Sequence, residues 1–271
     1  MLRRCAIQLD PAPFNWNDEL MCGRFSLTAT PEDVQELFGL LEMDDFPPRY
    51  NIAPTQPILI VASGERSEPG SNLPERRAVL VKWGLLPSWV KDPKDFPLLI
   101  NARSETAATK NSFRAAMRHR RALVPASGFY EWKRDGKKKA QPYWVRPKGG
   151  GICAFAGLME TWTGPNGEEV DTGAILTTSA NKLVANIHDR MPVVIMPEDF
   201  ERWLDCKTHE PRDVADLLVP APEDYFEAIP VSTKVNKVAN SGPDVQERVE
   251  TDDDEDEQPV PKGGGGQMSL L

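Results

Sequence analysis

Apolar positions recur along this chain in two rhythms. In TPEDVQELFGLL (30–41), Val34, Leu37, Phe38 and Leu41 fall on one face at helical spacing. Thr30 suits the cap and Pro31 the first turn. SETAATKNSFRAAMRH (104–119) predicts a second helix, capped by Ser104 with basic residues on its exposed side; PEDFERWL and PRDVADLLV predict two shorter ones. The remaining apolar runs are short and rich in β-branched and aromatic residues. RAVLVKWGLL, RALVPASGFYEWK, PYWVRP, GICAFAGLMETW and DTGAILTTSA each predict a strand. Asp135-Gly136 and Asn166-Gly167 supply what tight hairpin turns require, and strands joined that way pair antiparallel. The predicted class is α+β, with a curled, mainly antiparallel β core flanked by helices.

Both ends depart from this pattern. The chain divides into an extension (1–20), a body (21–242) and a tail (243–271) holding TDDDEDEQPVPKGGGG. Such like-charge and Gly-rich runs bury too little apolar area to fold. The tail carries −7 of the net charge of −9, which leaves the body near neutrality. Within the body, basic residues cluster as Lys110, Arg114, Arg118, Arg120 and Arg121, and as Lys133, Arg134, Lys137, Lys138 and Lys139. They form either a face for a polyanion or a merely solvated surface. No apolar run is long enough for a membrane helix, and no apolar stretch follows Arg3 and Arg4, so neither membrane nor secretion is expected. Cys5, Cys22, Cys153 and Cys206 form no CxxC pair; a cytoplasmic chain without metal or disulfide framework is the expectation.

Met21-Cys22-Gly23-Arg24 reads like the start of a protein. As an amino-terminal residue, Cys22 would offer an α-amine with a pKa of roughly 8 and a thiol of roughly 8.5. Arg24 nearby would favour the neutral amine and the thiolate. Such a pair attacks an aldehyde: the amine gives a Schiff base, and sulfur then closes a five-membered thiazolidine. A cysteine inside the chain has only an amide nitrogen and cannot do this. The alternative is an ordinary small core residue. Further candidates are polar groups in apolar surroundings. Asn101 ends LLIN, with Arg103 and Glu105 after it. Glu131 lies between Tyr130 and Trp132, where burial would raise its pKa and suit it to acid–base work, unless it is a structural, salt-bridged Glu. His188 and Arg190 precede an apolar strand; His188 is either a proton-transfer group or structural, and His119 and His209 receive no role.

MCGRF, RYNIAPTQ, VKWGLLPSW, NARSET, LVPASGFYEWK, AGLMETW and TTSANKLVANIHDRMPVVI occur in this order. Together they resemble the SOS response-associated peptidase (SRAP) family. The resemblance implies a single α+β domain acting in the DNA-damage response, which binds single-stranded DNA and crosslinks to the aldehyde of an abasic site without a cofactor. By motif position, Cys22 would form the thiazolidine and Asn101 would orient its amine. Glu131 would shuttle protons, and His188 would assist ring opening and reversal. Arg24, Arg103 and Arg190 would bind phosphate, Trp83 and Trp132 would shape the pocket or stack on bases, and Asn51 and Pro54 would line the cleft. The basic helix 110–121 would extend the track. The family name also implies self-removal of the segment before the cysteine. The extension departs from the family pattern: Met21 is the true start, or the extension is cleaved, or it is retained and the chemistry lost. The final QMSLL resembles a sliding-clamp-binding peptide, with Gln267, Met268, Leu270 and Leu271 as contacts, unless the match is chance. A cytoplasmic, nucleoid-associated protein is expected. The competing readings are an N-terminal-cysteine amidohydrolase and a non-catalytic single-strand-binding module.

Overall fold

The computed structural model describes residues 22–64, 75–134, 136 and 140–251. The extension, Met21, Asp135, Lys137–Lys139 and the tail from 252, with its clamp-like peptide, lie outside the described residues. The strands are β1 (Phe25–Leu27), β2 (Arg49–Ile52), β3 (Pro57–Ser63), β4 (Arg76–Trp83), β5 (Asn101–Arg103), β6 (Arg121–Ala126) and β7 (Gly128–Lys133), followed by β8 (Gln141–Pro147), β9 (Cys153–Thr163), β10 (Glu169–Ser179), β11 (Arg190–Pro192), β12 (Val194–Ile195) and β13 (Phe226–Pro230).

Two long strands organise them. β9 and β10 form a hairpin whose turn carries Asn166 and Gly167, the latter at φ +81°. Each strand outruns its partner and then takes another. β9 pairs with β6 along its opposite edge and with β12 beyond the end of β10. β10 pairs in parallel with β4 and β5, and antiparallel with β11. With β3 between β4 and β6, the strands β10, β4, β3, β6 and β9 close a barrel-like circuit. Closure leaves those strands no open edge along the paired stretch. A second sheet runs β13-β8-β7-β1-β2 and is antiparallel throughout. Phe25 and Phe129 of the second sheet meet Phe155 of the barrel edge-to-face, and Phe25 meets Trp83 in the same way at 5.2 Å. This aromatic seam joins the two layers.

RALVPASGFYEWK, predicted as one strand, is two. β6 belongs to the barrel and β7 to the second sheet, with the corner at Ser127-Gly128. Gly128 has φ +153°, and a Cβ there would sit 2.5 Å from Trp144 Nε1. Only glycine fits that approach.

The helices are α1 (Pro31–Phe38), α2 (Ser104–Ala107), α3 (Arg114–His119), α4 (Lys182–Ala185) and α5 (Phe200–Leu204). α1 begins in a Thr30–Asp33 capping box and stops at Gly39 in the left-handed region, so Leu40 rather than Leu41 turns inward. The helix predicted over 104–119 is broken into α2 and α3. The intervening Lys110-Asn111-Ser112 is weak helix sequence, and the break lets Phe113 bury. Ser104 is the first helical residue, not the cap. PEDFERWL forms a 3₁₀ turn and then α5, and Pro211–Leu217 is 3₁₀ rather than α.

The packed body also runs past 242. Val245 of the 3₁₀ turn Pro243–Gln246 is fully buried beside Tyr130, Trp144, Val231 and Val235. Gln246 Nε2 donates to Tyr130 Oη at 3.0 Å, and Val249 N–H donates to the Pro230 carbonyl. Among the described residues no helix is long and apolar enough to cross a membrane.

Candidate active site

β1 and β7 bring the start of the body to Glu131. Phe25 pairs with Phe129, and Tyr130 N–H donates to the Arg24 carbonyl at 2.9 Å. Just beyond the paired residues, the Cys22 backbone N–H donates to the Glu131 side chain, at 2.7 Å from Oε1. Cys22 has φ +45° and both residues are buried. Burial pushes the Cys22 thiol well up; the Glu131 charge and the hydrogen bond to it act the same way, and Arg190 opposes them. Arg24, expected to be the cation favouring the thiolate, is spent elsewhere. Burial likewise raises Glu131 above the ordinary carboxylate range, while the neighbouring His188 and hydrogen bonds from Cys22 and Trp132 pull it back. Glu131 is therefore a carboxyl that holds its proton more tightly than an exposed one, touching the Cys22 nitrogen.

The opposite wall comes from β5, β10 and β11. Asn101 and Arg103 lie beside Ile175 and Thr177 in parallel register, and Arg190 lies opposite Ser179. α4, capped by Asn181, ends where His188 N–H donates to the Val184 carbonyl. His188 Nδ1 lies 3.1 Å from the Arg190 backbone N–H, and Asp189 Oδ1 lies 3.1 Å from the same Nδ1. Arg190 Nη1 and Nη2 make a bidentate pair with Glu105 at 2.5 and 2.9 Å, and Nη2 also donates to the Thr177 carbonyl at 2.6 Å. The bond from Arg190 holds the Glu105 carboxyl below its ordinary range.

The other named residues divide. Arg24 is buried; its Nη1 donates to Asn51 Oδ1 and to the Val235 carbonyl, both at 2.8 Å. Asn51 Nδ2 donates to the carbonyls of Val235, Lys237 and Asn240. These two residues, expected at DNA, are turned inward to latch the 235–240 segment. Trp132 stands half-buried against it, with Nε1 donating to Asn236 Oδ1 at 2.8 Å. Pro54 is buried behind β2. Trp83 is fully buried, its Nε1 donating to the Ile100 carbonyl, so base stacking by Trp83 is ruled out. Trp89, from the same VKWGLLPSW segment, is 52% exposed and braced edge-on by Phe96. Periodicity does not say which of two nearby tryptophans faces out, so the sequence alone does not single out Trp89. Glu105, Asp189 and Thr177 were also given no role, although Glu105 lies inside NARSET.

Of the first basic group, Arg121 is 1% exposed and donates to the carbonyls of Met117, Trp203, Asp205 and His209, so it staples the chain and offers nothing to a polyanion. Arg114 and Arg118 line a cleft of about 1070 Å³ with Arg212, Glu105, Glu210 and Ser179, in which Arg118 Nη2 pairs with Glu210 at 3.1 Å and Glu105 is the partner of Arg190. Among the described residues no cluster of three or more His, Cys, Asp or Glu is arranged to hold a metal.

Comparison with known proteins gives the chain its relatives. The sequence profile described as SOS response associated peptidase (SRAP) matches residues 21–238. The abasic site processing protein YoqW of Bacillus subtilis is 40% identical over 230 residues, spanning 84% of this chain and 99% of its own. YedK of Escherichia coli, with the same description, is 35% identical over 82% of this chain and 97% of its own. A crystal structure of a protein from Bacteroides thetaiotaomicron superposes with a TM-score of 0.72 at 26% identity, covering 84% of this chain and all of that one.

Proposed function

The chain belongs to the SOS response associated peptidase (SRAP) family, and from that premise we propose that it processes abasic sites in DNA by forming a thiazolidine between Cys22 and the ring-opened sugar. The relatives named for abasic site processing support the substrate class. The observation that carries the chemistry is the 2.7 Å contact between the Cys22 nitrogen and Glu131.

With Cys22 as the amino-terminal residue, its amine adds to the sugar aldehyde and gives a carbinolamine. Glu131, protonated because it is buried, delivers its proton to the departing hydroxyl, and water leaves as the iminium forms. The Cys22 sulfur adds to the iminium carbon, its proton returns to Glu131, and the ring closes with one water lost overall. His188 across the site moves protons in sugar ring opening and in reversal of the link. Glu131 also touches the atom that becomes the leaving amine when the Met21–Cys22 bond is hydrolysed, which makes it the proton donor for self-processing. Asn101 orients the Cys22 amine. Arg103 and Trp89, both exposed, supply a phosphate contact and a stacking platform, and Arg114 and Arg118 continue the basic track along the adjoining cleft. The QMSLL end tethers the body to a sliding clamp; unchanged clamp binding after deletion of 267–271 refutes that part.

The test incubates purified protein with single-stranded DNA bearing one abasic site and runs a denaturing gel. A shifted band that depends on the abasic site, with Cys22 found by mass spectrometry as the first residue, is the expected result. Absence of any covalent product leaves the non-catalytic binding module; turnover of small amides without DNA leaves the amidohydrolase.

A further inference from the structure

The Arg190 guanidinium is held on two sides. Glu105 on α2 takes Nη1 and Nη2 together, and Thr177 on β10 takes Nη2 through its carbonyl and hydroxyl. The arginine side chain is 13% exposed and that of Glu105 is 50% exposed. Arg190 Nε is buried and has no acceptor among the described residues. Because that atom has no accessible surface, a ligand meets the guanidinium only at its exposed edge. That edge suits an oxyanion: the group is a cation, it adjoins the Cys22–Glu131 site closely enough for its charge to act on the thiol, and its α2 partner lines the cleft that holds Arg114 and Arg212.

We infer that Glu105 is a positioning residue, whose bidentate grip fixes the Arg190 guanidinium so that its accessible edge faces a phosphodiester oxygen of the bound strand. The inference rests on the DNA reading above. Its consequence runs against simple charge counting. Removing an acidic residue beside a polyanion site ordinarily tightens binding. Here it loosens the arginine and weakens binding.

The experiment measures non-covalent binding of single-stranded DNA across a salt series for wild type, Glu105→Gln, Glu105→Asp, Arg190→Gln and the double variant Glu105→Gln/Arg190→Gln, with thermal melts confirming that each is folded. The expected result is a five- to tenfold loss for Glu105→Gln, with the salt slope reduced by about 0.7, the value for one single-strand phosphate contact. Glu105→Asp keeps the charge but shortens the arm, and gives an intermediate loss. In the Arg190→Gln background, Glu105→Gln has no further effect. Tighter binding by Glu105→Gln overturns the inference, because Glu105 then competes with phosphate for Arg190. An equal loss with and without Arg190 overturns it as well. If wild type forms no covalent product with abasic DNA while these shifts appear, the crosslinking reading falls and the positioning role stands. If the product forms and Glu105→Gln binds like wild type, the reverse holds.

Discussion

The Cys22 nitrogen and Glu131 Oε1 are 2.7 Å apart across 109 positions of sequence. Antiparallel pairing of β1 with β7 makes this contact, and the β6–β7 corner at Gly128 lets β7 leave the barrel to reach it. Cys22 and Glu131 are thus brought together by strand register, with both groups buried in the joint between the two sheets.

Replacing Cys22 by Ala abolishes covalent product on abasic DNA while leaving DNA retention in a native gel. Glu131→Gln keeps the shape and removes the proton, and slows product formation by about 10²–10⁴-fold, the usual span for a positioned acid–base group. Single-turnover kinetics on denaturing gels give the rate. A Glu131→Gln rate within threefold of wild type contradicts the assigned role.

The Glu131 carboxyl also leaves a mark on stability. Its folded pKa is raised by burial, so between the unfolded value, about 4.3, and the raised value the native state binds more protons than the unfolded state. Stability contributed through this group is present below the unfolded value and is lost as pH rises through the folded one. Urea unfolding at a series of pH values shows wild type losing ground to Glu131→Gln on going from pH 4 towards pH 8. A constant difference between the two proteins refutes the raised value.

The two tryptophans of VKWGLLPSW separate by burial. Trp83→Ala empties a core site and costs about 3–5 kcal/mol of stability, seen as a large fall in the urea midpoint. Trp89→Ala leaves the midpoint near wild type and lowers single-strand affinity by about 1–3 kcal/mol, the worth of one stacked base. Fluorescence-anisotropy titration reads the second effect, and unaltered affinity removes Trp89 from the DNA surface.

Asn51→Ala removes the group that joins Arg24 to the carbonyls of Val235, Lys237 and Asn240. It removes one acceptor from a buried guanidinium and costs about 1–3 kcal/mol. Hydrogen exchange speeds first at amides of 235–240 and 243–249, the elements that the latch and Tyr130 hold down. If exchange in those segments matches wild type, the latch is not what fixes them.

Much of this protein is legible in its sequence. Local rules suffice for α1, because Thr30, Asp33 and Gly39 act on neighbours within a turn or two. They suffice as well for the β9–β10 hairpin, and for the motif order that marks the family. The sequence also singles out Cys22 and Glu131 as chemically unusual, since an acidic residue between two aromatics on a strand is conspicuous without any coordinates. What the tertiary structure decided is direction and partnership. Trp83 and Trp89 look alike in sequence, yet one fills the core and the other faces water. Arg24, Arg121 and Arg190 are the same side chain, yet carbonyl oxygens claim the first two and Glu105 claims the third. Periodicity records which residues are apolar; it carries no information about which distant carbonyl or carboxylate arrives beside a guanidinium. That is fixed by strand register and sheet closure, which bring together groups that the chain keeps far apart.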